Sequence, residues 1–122
     1  MEHLKPEQFV ILANPGVTST QILSPHNSQS SRVTITRVVV AVGAIQPRHH
    51  HSASEQIWYA QSGSGLLLLA NCETRAFCAG EVVRFAENET HGFENTGVAA
   101  FEYLAITSPP INFDYAYATK GA

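Results

Sequence analysis

The apolar positions of this chain fall in short, strand-length runs closed by glycine, proline or polar clusters, with almost no stretch of sustained helical period. A single helical turn is expected over residues 5–9, where Pro6 is tolerated early, followed by a first strand over 9–12. Asn14-Pro15-Gly16 predicts a turn, residues 20–23 a short strand, and residues 24–30 a polar surface loop in which His26 faces solvent. Residues 31–42 are dense in Val, Ile and Thr and predict a long strand, broken by Gly43. Along it Arg32, Thr34 and Thr36 share a face with Val38, Val40 and Val42, while Arg37 lies with Val33, Ile35 and Val39. That change of character midway aims at least one of the arginines at a cavity or a partner. Residues 55–61 and 65–70 flank Ser62-Gly63-Ser64 and are expected to pair as a hairpin. Strands over 74–77, 81–85, 91–95 and 98–107 continue the series at the spacing of a sandwich or small barrel. Ser108-Pro109-Pro110 closes it. The tail from 111 to 117, with Phe113, Tyr115 and Tyr117 at alternate positions, predicts a last strand or arm packed on the barrel or on a second subunit.

This pattern sets the fold class as all-β. At 122 residues the chain makes a single domain, long enough for one core. It is 44% hydrophobic and 14% charged with a formal net charge of −3, so it carries no basic footprint for nucleic acid. No apolar run approaches the roughly 20 residues of a membrane-spanning helix, and the first residues lack the pattern of a secretory signal. A cytoplasmic protein is expected. Cys72 and Cys78 have neither zinc nor redox spacing and are expected as free thiols, Cys78 half-buried, with a cross-strand disulfide as the alternative. The β-branched run over 32–42 and the aromatic tail leave apolar surface and edges to cover, which predicts a homodimer.

Candidate chemistry centres on His49, His50 and His51, followed by Glu55 and Gln56 and answered by His91. In an extended segment His49 and His51 share one face about 7 Å apart and His50 points away. Two imidazoles on one face can grip one ion, and imidazole mixed with oxygen donors suits divalent ions from manganese to zinc. A straight strand cannot bring residues 49 and 56 to the same ion, since seven residues at about 3.3 Å each span more than 20 Å. Ser52-Ala53-Ser54 therefore forms a corner, after which a strand returns past the histidines. Alternation lets only one of its first two polar residues point inward: Gln56 with Trp58 and Ala60, or Glu55 with Ile57 and Tyr59. His91 opens another strand and can complete the site.

Gly43, five residues, His49-x-His51, three or four residues, Glu55 or Gln56, and Gly63 resemble the first motif of the cupin superfamily, over residues 43–63. Gly80, five residues, Ala86-Glu87-Asn88, two residues, His91, three residues and Asn95 resemble the second, over 80–95. The 16 residues between Gly63 and Gly80 suit a small single-domain cupin, with residues 108–122 as a C-terminal arm. The resemblance implies a double-stranded β-helix, or jelly-roll barrel, that binds one divalent transition metal ion, iron, manganese, nickel or zinc. Two positions depart from the pattern. Ala86 and Asn88 replace the proline and glycine of the second motif, although asparagine best tolerates the left-handed conformation the turn needs. The glutamate ligand of the family usually stands seven residues before the closing glycine, which counts back from Gly63 to Gln56. Some cupins similar to this chain around Glu55-Gln56-Ile57 use glutamine there. The expected ligands are therefore His49, His51, Gln56 and His91, with Glu55 as the alternative to Gln56.

Four neutral ligands would leave the ion's charge uncompensated and favour an anionic or chelating substrate. The resemblance implies a metal-dependent enzyme on a small organic substrate, a dioxygenase slightly ahead of an isomerase or lyase, with Trp58, Phe93, Glu102 and Tyr103 as pocket candidates. Cupins that process uronic sugars resemble the chain here but carry an acid and an arginine where Ala105 and Ile111 stand, which argues against that activity. The alternative is a non-catalytic small-molecule binding or sensor module with a structural metal.

Overall fold

Short alternating runs can each bury only one face, and in the computed structural model, which describes residues 1–121, they do so by stacking two antiparallel sheets. A 3-10 turn at Pro6–Gln8 precedes β1 (Val10–Asn14) and β2 (Val17–Leu23). The chain continues through β3 (Thr34–Val40), β4 (Ile45–His49), β5 (Glu55–Ser62), β6 (Ser64–Leu68), β7 (Thr74–Cys78), β8 (Val82–Phe85), β9 (His91–Glu94) and β10 (Phe101–Ser108). It ends in a 3-10 turn at Phe113–Ala116 and β11 (Thr119–Gly121). The seven-stranded sheet has the order β11-β1-β2-β3-β10-β5-β8 and the four-stranded sheet the order β4-β9-β6-β7. This is the all-β jelly-roll architecture expected from the sequence. Between the sheets lie Val38, Val40, Trp58, Leu67, Phe93 and Phe101 among others, each buried, with Phe93 stacked on Phe101 at 4.1 Å. Among the described residues no helix is long and apolar enough to cross a membrane.

Five local expectations change. Residues 55–61 and 65–70 do not form a hairpin: β5 pairs with β10 and β8, whereas β6 pairs with β7 and β9. One residue, Gly63 at φ +91°, carries the chain from one sheet to the other. It passes so close to the start of β10 that a Cβ would lie 2.8 Å from the Ala100 carbonyl oxygen. The strand β4 has no counterpart in the sequence reading because Pro47 interrupts its pattern; β4 is an edge strand, where proline's missing donor is harmless. The long strand over 31–42 contracts to β3. On β3 Thr34, Thr36, Val38 and Val40 are buried while Arg37 lies on the opposite face, and neither arginine borders the interior cavity. His26 is not free in solvent: its Nε2 lies 2.9 Å from Asp114 Oδ1 and ties the loop after β2 to the C-terminal arm. Cys72 and Cys78 are both free thiols, and Cys78 is exposed rather than half-buried.

The C-terminal arm closes over one end of the barrel. Phe113 is buried, Tyr117 packs against the core and Tyr115 is exposed. Asn14 clasps the arm with both ends of its amide, donating from Nδ2 to the Ala116 carbonyl at 2.9 Å and accepting at Oδ1 from the Ala118 N–H at 2.7 Å. Beyond that clasp β11 pairs with β1, Ala13 opposite Thr119.

Candidate metal centre

Antiparallel pairing of β4 with β9 places His49 directly opposite His91, after a register shift between Gln46 and His49. Gly92 permits this approach, since a Cβ there would lie 2.6 Å from the Gln46 carbonyl oxygen. β4 ends at His49, so His51 reaches the same place from the bend that follows rather than from a continuous strand. The bend is held by two contacts. The Asn88 N–H donates to the His51 carbonyl at 2.7 Å, and Ser54 Oγ donates to the Pro109 carbonyl at 2.8 Å. Asn88 has φ +66°, the left-handed conformation its place in the turn demands.

The three imidazoles converge. Ring centroids are 4.3 Å apart for His49 and His91, 5.1 Å for His49 and His51, and 5.2 Å for His51 and His91. One ligand nitrogen from each lies within 4.8 Å of the others. Nδ1 of His49 is 2.8 Å from the Pro47 carbonyl oxygen and Nδ1 of His91 is 2.9 Å from that of Glu89. A carbonyl only accepts, so each Nδ1 carries the hydrogen and each Nε2 presents a bare lone pair. Nε2 of His51 and Nε2 of His91 are buried with no hydrogen-bond partner among the described residues. Buried polar atoms are nearly always satisfied, and two orphaned imidazole nitrogens in one cluster fit a metal ion as the missing partner. His50 is exposed at the cavity rim.

Apolar rings keep these histidines neutral. Phe85 stacks on His91 at 4.3 Å with 10° between the planes, Trp58 meets His91 edge-on at 5.6 Å, and Phe113 meets His51 edge-on at 5.9 Å. Burial, with a smaller contribution from the neighbouring imidazoles, lowers His91 to about 3 and His51 to about 4; burial also lowers His49. Neutral imidazole is the form that binds metal. The sign of the pH dependence follows. Below the ordinary value of 6.5 the unfolded chain takes up protons that the folded, metal-free chain refuses, so stability is full above that value and falls as pH drops towards 4 and then 3. Between pH 7 and pH 5 His91 is expected to remove about 2 kcal/mol, and His51, which borders the cavity and is partly screened, less. Urea denaturation of chelator-treated protein at the two pH values checks this, and equal midpoints would contradict it.

His49, His50 and His51 border a cavity of 480 Å³ whose other walls come from β2, β3, β4, β10 and the C-terminal arm, with Asn14 of β1 and Gln56 of β5; His91 is not among the residues that line it. Gln56 borders it and is 5% exposed; its Nε2 donates to Thr107 Oγ1 at 2.9 Å and its Oε1 accepts from Trp58 Nε1 at 2.8 Å. Glu55 faces outward on the same strand, where its carboxylate pairs with Arg84 at 3.2 Å. Of the four pocket candidates, Tyr103 lines the cavity, its hydroxyl donating to Gln46 Oε1 at 2.7 Å. Trp58 stands behind the wall, stacked on Tyr103 at 4.2 Å; Phe93 belongs to the core; and Glu102 points to the other face of β10. Parity explains the correction for Glu102, since Tyr103 next to it takes the inward position. The sequence reading did not place Asn14, Ser19, Thr36 and Gln46 at the cavity, because they come from strands whose neighbours are set by tertiary pairing. It treated the aromatic tail as packing, although Tyr115 and Tyr117 also border the cavity.

Comparison with known proteins agrees with this architecture. An uncharacterized protein of Methanocaldococcus jannaschii is 25% identical over 103 residues, covering 84% of this chain and 82% of its own. The polyketide cyclase RemF from Streptomyces resistomycificus superposes with a TM-score of 0.76 at 17% identity, over 98% of this chain and 83% of that one. A predicted oxalate decarboxylase from Thermotoga maritima superposes with a TM-score of 0.74 at 21% identity, over 88% and 99%. At these identities the two structures share the fold. The Cupin domain family matches residues 36–107, a span that takes in most of β3 to most of β10 and every histidine of the cluster. Because that match covers more than half of the chain, this protein belongs to the cupin family.

Proposed function

We propose that His49, His51 and His91, with Gln56 as fourth ligand, hold one divalent transition metal ion, and that the protein is a metal-dependent enzyme acting on a small organic chelator in the adjoining cavity. The observation that carries this reading is the pair of buried Nε2 atoms, on His51 and His91, that have no partner among the described residues. When bound, such an ion would polarise a chelating substrate oxygen or, in the case of iron, bring dioxygen chemistry. The chain's own residues prepare the site. The Pro47 and Glu89 carbonyls set the imidazole tautomers, Thr107 and Trp58 hold the Gln56 amide from both sides, and the buried Phe113 ring lies against His51 at the cavity wall. Tyr103 keeps its proton, because burial raises its pKa well above the ordinary value, and directs it at Gln46.

A second reading, a binding or sensor module with a structural metal, is favoured by one feature of the cavity: among the described residues no Asp, Glu, Lys or Arg lines it. Proton transfer would then rest on imidazoles and tyrosines alone. Oxygen uptake and proton release are to be measured against a panel of diketones, phenolic acids and sugar acids, alongside elemental analysis of native protein. Turnover that disappears in His51→Ala supports the enzyme, iron pointing to a dioxygenase and zinc, nickel or manganese to an isomerase or lyase. Ligand retention without turnover moves the assignment to the binding module.

A further inference from the structure

The walls of the cavity constrain what can sit beside the metal. Among the described residues no Asp, Glu, Lys or Arg borders it, so a ligand group ionised away from the metal and lying against these walls would have no counter-charge. The polar side chains that do line it are largely committed to one another. Both ends of the Asn14 amide hold the C-terminal arm, the Tyr103 hydroxyl is given to Gln46, the Gln56 amide lies between Trp58 and Thr107, and Ser19 accepts from Gln21 Nε2 at 2.8 Å. A polyol would find few free partners there, and each hydroxyl left unpaired would lower its affinity. Thr36, His50 and the hydroxyls of Tyr115 and Tyr117 also line it, but most of what remains is apolar: Val17, Val38, Ile45 and Ala105 on the sheets, and the rings of Phe113 and Tyr115 on the arm. At 480 Å³ the space far exceeds a two-carbon chelator.

We propose that this cavity selects a bidentate oxygen chelator carried on an uncharged, largely aromatic framework, and discriminates against chelators that bear a second charge. The inference rests on the metal reading above and narrows its substrate class. The chelating oxygens sit at the histidine end, and the framework lies along the aliphatic wall under the aromatic arm, where aromatic contacts favour flat partners.

Three ligands with one and the same chelating group separate the wall from the metal: acetohydroxamic acid, 2-naphthohydroxamic acid and succinic monohydroxamic acid. Calorimetric titration of zinc-loaded protein, with zinc content measured on the same sample, is expected to show the naphthyl compound binding at least about tenfold tighter than the acetyl compound. The succinic compound, whose free carboxylate would enter the apolar end, is expected to bind no tighter than the acetyl compound. In Tyr115→Ala, a change at a side chain 72% exposed and outside the core, the naphthyl-to-acetyl ratio is expected to fall about threefold. Stoichiometric zinc with equal affinity for the naphthyl and acetyl compounds, or with the succinic compound tightest, overturns this inference and leaves the metal reading standing. Failure to take up zinc overturns both.

Discussion

Replacing His91 with alanine is expected to abolish stoichiometric metal binding, lowering affinity by more than the roughly 100-fold that loss of a supporting contact alone can produce. His91 is 1% exposed, stands opposite His49 across the β4–β9 pair, and presents an unpartnered Nε2 whose direction is set by the Nδ1–H bond to Glu89. Two imidazoles would remain, and His51 Nε2 would still lack a partner. The measurement is metal per chain after exposure to excess zinc and desalting, about one for the unmodified protein and near zero for the variant. Two further variants grade the oxygen ligand. Gln56→Ala is expected to lose part of the metal, because Gln56 borders the cavity, while Glu55→Ala is expected to lose none, because its carboxylate faces outward to Arg84. If Glu55→Ala loses metal and Gln56→Ala keeps it, the ligand assignment is wrong.

Trp58→Ala is expected to lower stability by about 3 to 5 kcal/mol, a large share of the roughly 5 to 15 kcal/mol available to a domain of this size. The indole is 1% exposed, stacked on Tyr103 and edge-on to Phe85 at 5.1 Å, so truncation opens a void that β5 and β10 cannot close without breaking their ladder. Trp58→Phe separates packing from hydrogen bonding. It keeps an aromatic ring in place but removes the Nε1–H donor, leaving Gln56 Oε1 with no buried partner at a cost of about 1 to 3 kcal/mol. Urea denaturation of metal-free protein measures both. A Trp58→Phe variant as stable as the parent would mean that the indole N–H does not hold the amide.

Much of the fold could be read locally, and the exceptions have a common cause. Alternation along β5 separates Gln56, Trp58 and Ala60 from Glu55 and Tyr59, and the structure buries the first set and exposes the second. The all-β pattern was equally plain, as was the corner at Ser52 to Ser54 that turns the chain back from the histidines. The supposed hairpin at Gly63 failed because a glycine between two alternating runs reads the same whether the strands pair or part. Edge strand β4 was missed because Pro47 erases its periodicity, although the edge position makes proline acceptable. Glu102 and Tyr103 are both pocket candidates from sequence, and parity along β10 leaves only Tyr103 facing inward.

By itself, then, the sequence determined the β character of the chain, the parity of residues within each strand, and the spacing that brings histidines 49, 51 and 91 into two cupin-like motifs. The tertiary structure alone decided which sheet each strand joins, that the carbonyls of Pro47 and Glu89 orient two of the imidazoles, and that the arm from 113 to 117 walls the cavity with Asn14 as its clasp. Periodicity is a property of one strand and is written in consecutive residues. Strand neighbours and backbone acceptors are chosen by packing the whole chain, as when Asn14 and Ala116 meet across 102 residues, and no local pattern records that choice.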